Sequence, residues 1–172
     1  MAVFGRAGQV SITGGNDAIQ IQGIYEFLRD ASKADKRFDI EMRKAAQTVA
    51  QNLVDKAKVE AGTVTRNRQA TEVMKGMRAR RDRIPTIKLD DKSGFVSASN
   101  PNRKRKRNVT RGDVFFGAEF GGQARPRTKQ FLRHRGRSAY FFWPTVRKEK
   151  ENIAREYLDS IQRVLNTLKD GA

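Results

Sequence analysis

Cysteine is absent from this sequence. That excludes a disulfide frame, thiolate nucleophiles and any zinc site built on sulfur, and it fits a reducing compartment. Histidine occurs once, at His134, between Arg133 and Arg135. A catalytic triad, a histidine metal centre or a histidine acid–base pair would need partners that the surrounding sequence does not hold. His134 therefore reads as a loop or interface residue. Long apolar runs are missing too. None approaches the roughly 20 residues that a membrane helix needs, and residues 1–15 lack the apolar stretch of a secretory signal. With 37% apolar and 32% charged residues, the chain supports one core of modest size with long polar excursions.

Negative charge is scarce as well: 19 acids face 36 bases, a net charge of +17. The excess is concentrated. Residues 66–83 hold seven Lys/Arg and two acids, while 103–111 and 125–137 hold six bases each and no acid, so the remainder is neutral. Such segments repel one another and favour a polyanion or an acidic protein surface. The run Arg103, Lys104, Arg105, Lys106 and Arg107 suits contact with DNA phosphate or an acidic surface, against the alternative of a solvated loop. It has no aromatic residue on which a base could stack, so it does not point to sequence reading. The 125–137 segment mixes Pro126, Phe131 and Leu132 with its arginines, the composition of a protein interface.

The stretch 114–147 organises the rest, holding most of the phenylalanines and the only tryptophan. Aromatic residues favour pleated, half-buried positions, so 114–120 and 140–143 read as strands, with Gly121-Gly122 ending the first and Pro144 marking the end of the second or the lead-in to a helix. Alternation along 140–143 puts aromatics on both faces, and both must then be covered, by the chain's own helices or by a neighbour. Glu119 is the one acid among these aromatics. It either pairs with an arginine of the 125–137 arm or faces solvent. Gly117, Gly121 and Gly122 are followed by no Gly-Lys-Ser/Thr, so a strand exit is favoured over a phosphate loop. Asp90-Asp91 reads as a solvated turn rather than a cation site.

Elsewhere the periodicities are simpler. Residues 9–13, 17–23 and 84–89 alternate as short strands, and 24–31 reads as a short helix. Phe38, Met42, Ala45, Ala46, Val49, Leu53 and Ala57 make one stripe on a long helix over 36–61, capped by Asp35 and stopped by Gly62. Val73, Met74 and Met77 fit one face of a short helix. Val146, Ile153, Tyr157, Ile161, Leu165 and Leu168 mark a C-terminal helix over 145–169, with Thr145 as its cap. The predicted fold class is α+β, a mostly antiparallel sheet packed against a long central helix and a C-terminal helix. Residues 1–16 are expected to form a flexible arm and 17–172 a single domain with extended basic loops at about 62–83, 99–112 and 121–138.

The order of these parts resembles a known family. An Ile-x-Ile-x-Gly strand (19–23) precedes a short helix and a long alanine-rich helix, and a basic middle follows. Then come Phe-Gly-Ala-Glu-Phe-Gly-Gly (116–122), a Pro-containing arm with Phe131-Leu132, and an aromatic-Trp-Pro segment (141–144) leading into a terminal helix. This pattern is similar to the neck or tail-completion (head–tail joining) proteins of long-tailed bacteriophages. Gly62, where relatives often place proline, and the length of the basic stretch 66–111 depart from it. The resemblance implies a structural virion protein, not an enzyme and without a cofactor. Its expected place is the virion neck or tail, after assembly in the host cytoplasm. It would join tail to head as a homo-oligomeric ring around the DNA channel, touching connector and tail proteins and making non-specific contact with packaged DNA, with no membrane involved. Glu119, Phe120, Arg125, Arg127, Phe131, Arg133, Tyr140 and Trp143 are the expected interface residues. The alternative is a basic nucleic-acid-binding protein with sequence-independent phosphate contacts. A nuclease ranks last, because only Asp113 and Glu119 lie near the aromatic unit to hold magnesium.

Overall fold

The computed structural model describes residues 10–11, 20–21, 23–64, 68–89, 94–95, 109–122 and 131–170. In chain order they form β1 (Val10–Ser11), β2 (Gln20–Ile21), α1 (Ile24–Ala34), α2 (Lys36–Thr63), α3 (Arg68–Met74), β3 (Met77–Arg80), β4 (Thr86–Leu89), β5 (Gly94–Phe95), β6 (Val109–Thr110), α4 (Arg111–Phe120), a 3-10 turn (Gly136–Ser138) and α5 (Phe142–Asp170). Helix dominates. The strands pair only in twos: β1 with β2 and β5 with β6, both antiparallel, and β3 with β4. The class α+β holds in this coarse sense.

Asp35 separates the first two helices by serving both. Its backbone is extended (φ −143°, ψ 122°) and its N–H closes α1 on the Ala31 carbonyl at 3.0 Å. Its carboxylate accepts the Arg37 N–H at 2.7 Å, which is the predicted N-cap of α2. Gly62 does not stop α2, which runs one residue past it to Thr63. Glycine permits a helix end but does not impose one.

The described residues group into two compact units. One is drawn from Met1–Leu53, Ala79–Thr86 and Val146–Ala172, the other from Val54–Arg78 and Ile87–Thr145. The core of the first is built from Ile24 and Leu28 of α1, Phe38, Met42, Ala46 and Val49 of α2, and Tyr157, Ile161 and Val164 of α5. These are largely the stripes legible in the sequence: steps of three and four bring one face of each helix together. Tyr157 is buried, and its hydroxyl donates to the Arg83 carbonyl, so its polar end is satisfied. The core of the second unit collects Val54, Ala57 and Ala61 of α2, Ala70, Val73 and Met74 of α3, Met77, Val114 and Ala118 of α4, and Phe141.

Two expectations are corrected here. Residues 114–120 are not a strand but most of α4, and 140–143 is not a strand but a bend running into α5. Stretches expected as basic loops also carry regular structure, α3 and β3 within 62–83 and β6 within 99–112. The predicted arm at 1–16 falls, apart from Val10–Ser11, outside the described residues.

Candidate interaction site

α4 is set by its first turn. Thr110 has extended backbone (φ −86°, ψ 163°), and its hydroxyl accepts the Asp113 N–H at 3.2 Å while Asp113 accepts the Thr110 N–H at 3.0 Å. This reciprocal capping box satisfies two donors that a new helix leaves open. It overrides the strand preference of Val114, Phe115 and Phe116. The Gly121 N–H closes the helix on Gly117 at 3.0 Å, and φ of 85° at Gly121 lies where other residues are strained.

The chain then returns along the end of α4. Gly122 N–H donates to the Leu132 carbonyl at 2.8 Å and Arg135 N–H to the Phe120 carbonyl at 2.9 Å. Phe131 places its ring over Gly117, where any Cβ would overlap it. The Tyr140 hydroxyl donates to the Arg133 carbonyl at 2.6 Å, and the Arg135 guanidinium lies 4.8 Å from the Tyr140 ring centre.

Glu119 completes the site. Its carboxylate is wholly buried and accepts three main-chain N–H groups at the start of α5: Phe141 at 3.4 Å, Phe142 at 3.0 Å and Trp143 at 2.8 Å. The first turn of a helix has open donors and the positive end of the dipole, and a carboxylate answers both. Glu119 is therefore a buried cap supplied from another helix, and not the solvent-facing carboxylate that was one of the two sequence readings. Thr145 is not the cap expected of it: its hydroxyl donates back to the Phe141 carbonyl at 2.6 Å. Pro144 sits in the first turn of α5, where its missing N–H costs nothing.

These anchors line up a run of rings. Phe120 stacks on Phe116 (6.2 Å between centres, 16° between planes), Phe116 meets Phe115 edge to face (5.4 Å), Phe115 meets Phe142 (6.0 Å) and Phe142 meets Trp143 (5.5 Å). Most are half-buried, but Phe116 is 67% exposed. A large apolar ring held outward on a doubly anchored helix is suited to contact with another apolar surface.

No family model, curated protein or solved structure matches this chain.

The expected interface residues are distributed unevenly over this geometry. Phe120 and Trp143 end the ring run, Tyr140 and Phe131 brace it from within the unit, and Arg133 is exposed beside it. Glu119 is turned inward. Arg125 and Arg127 lie outside the described residues, as do Arg103, Lys104, Arg105, Lys106 and Arg107. Phe116 was not among the expected contacts. Its signal is the spacing Phe116–Phe120, one helical turn, which is visible only once the segment is read with a period of 3.6. Among the described residues, no group of three His, Cys, Asp or Glu side chains is placed to hold a metal, and no helix is long and apolar enough to cross a membrane.

Proposed function

We propose that this chain is a non-enzymatic structural protein of the bacteriophage neck, joining tail to head as an oligomeric ring around the DNA channel. Support comes from the order of segments shared with head–tail joining proteins. The observation that carries the reading is the outward Phe116 ring on α4, in the same Phe-Gly-Ala-Glu-Phe-Gly-Gly segment on which that resemblance rests. A ring protein needs an apolar contact that is rigid before assembly, because ordering side chains at the moment of docking costs affinity. Connector and tail proteins are the proposed neighbours, and the basic segments are proposed to meet their acidic surfaces or packaged DNA.

The test is the mass of the purified protein, alone and mixed with the phage connector. A defined multimer in either case is expected. A monomer in both, with no connector complex, overturns the reading. A second reading, sequence-independent nucleic-acid binding, is favoured by the three acid-poor segments. It requires tight duplex binding at low salt that falls steeply as salt rises. Such binding without any defined oligomer or connector complex would favour it over the first.

A further inference from the structure

The first unit holds a cleft of about 430 Å³ that is remote in sequence from the aromatic segment. Tyr25 and Leu28 of α1, Arg43 of α2, and Asp82, Arg83 and Ile84 of the β3–β4 connection line it. One carboxylate, that of Asp39, orients the two guanidinium groups among these residues. Asp39 accepts the Arg43 Nε–H on Oδ2 at 2.7 Å and the Arg83 Nε–H on Oδ1. Each arginine is thus gripped by its inner nitrogen. The outer nitrogens remain: among the described residues, neither terminal nitrogen of Arg83 has a hydrogen-bond partner, nor does Nη2 of Arg43, while Nη1 of Arg43 reaches the Arg81 carbonyl at 3.5 Å.

Charge points the same way. Asp39 neutralises one of the two guanidiniums, and Asp82 is engaged by Arg80 at 3.4 Å, so Arg43, Arg80 and Arg83 outnumber the two acids. Arg81, next in the chain, adds to that excess. Leu28 and Ile84 supply apolar walls, and Tyr25 is 52% exposed at the rim. Two guanidiniums held in place with unfilled N–H groups match the tetrahedral oxygens of a phosphate better than a lone surface arginine does, because their ordering is complete before binding. A phosphate monoester also brings between one and two negative charges at neutral pH, where a carboxylate brings one.

We propose that this cleft is a phosphate-monoester site, in which Arg43 and Arg83, positioned by Asp39, donate their outer N–H groups to the phosphate oxygens while the Tyr25 ring flanks the esterified group.

The test uses the full chain. Arginines are modified with phenylglyoxal in the presence of inorganic phosphate, phenyl phosphate, short duplex DNA, or chloride at matched ionic strength, and each site is followed by peptide mass. Phosphate or phenyl phosphate should slow modification of Arg43 and Arg83 about tenfold, the effect of one charge-assisted contact, with exposed Arg147 unaffected. Protection by both identifies the phosphate group as sufficient. Protection by phenyl phosphate alone identifies an ester. Equal rates in phenyl phosphate and chloride, equal protection of Arg147, or protection by DNA alone would each overturn the proposal. Arg83→Lys, checked for folding by circular dichroism, keeps the charge but loses the fork. It should weaken phenyl phosphate binding by about tenfold, and unchanged affinity would likewise overturn the assignment.

Discussion

Oε1 of Glu119 accepts the main-chain N–H of Trp143 at 2.8 Å, across 24 positions of sequence. With the bonds to Phe141 and Phe142, it makes the start of α5 depend on a side chain from α4. Three backbone donors lose their partner together if that side chain is shortened.

Glu119→Gln keeps the length but offers one acceptor oxygen and no charge. It should destabilise the protein by about 1–3 kcal/mol, and Glu119→Ala by more, since buried donors left unpaired carry their full desolvation cost. Urea denaturation followed by circular dichroism measures both. Equal stability of wild type and Glu119→Ala would refute the capping role.

Gly117→Ala should destabilise by about 1–3 kcal/mol, because the new methyl overlaps the Phe131 ring. In a Phe131→Ala background the same change should instead stabilise by up to about 1 kcal/mol, alanine being the better helix former. A double-mutant cycle reads the coupling, and additive effects would show that the ring does not occupy that space.

Phe116→Ser should shift stability by less than about 1 kcal/mol, since the ring is mostly in solvent. Under the proposed function it should still weaken ring or connector assembly about tenfold or more. Undiminished assembly by a folded Phe116→Ser protein would remove this surface from the proposed interface.

Asp39 yields a pH prediction. Burial acts to raise its pKa, but hydrogen bonds from Arg43 and Arg83, aided by their charges, prevail and hold it below the usual carboxylate value. A carboxyl lowered on folding contributes stability above its unfolded pKa of about 3.9, and that contribution is lost as pH falls through the folded value. Asp39→Asn should therefore cost most stability near neutrality, with the gap to wild type narrowing below about pH 4. Urea midpoints at several pH values check this, and a gap that does not depend on pH would contradict it.

The long helices were legible because their apolar steps repeat over many turns. Phe38, Met42, Ala46 and Val49 face the first core as their spacing requires, and Asp35 caps α2 as its position implies. The aromatic segment was misread for a physical reason. Phe115, Phe116, Phe141 and Phe142 prefer strands, but that preference is small and yields to local capping and tertiary contact. The Thr110–Asp113 box was present in the sequence as Thr-x-x-Asp and outweighs it at α4.

At 141–143 the local signal, Pro144, fits a strand end as well as a first helical turn and so does not decide the matter. The donors that open α5 are answered by a carboxylate from another helix, and sequence carries no record of which distant side chain will arrive there. The same holds for Arg83 and Asp39, which lie 44 positions apart. Composition, charge placement and helical period belong to the chain itself, because they depend on neighbours within a few residues. The buried cap, the ring run ending at Trp143 and the arginine cleft were decided only by folding, because each joins residues that the chain keeps far apart.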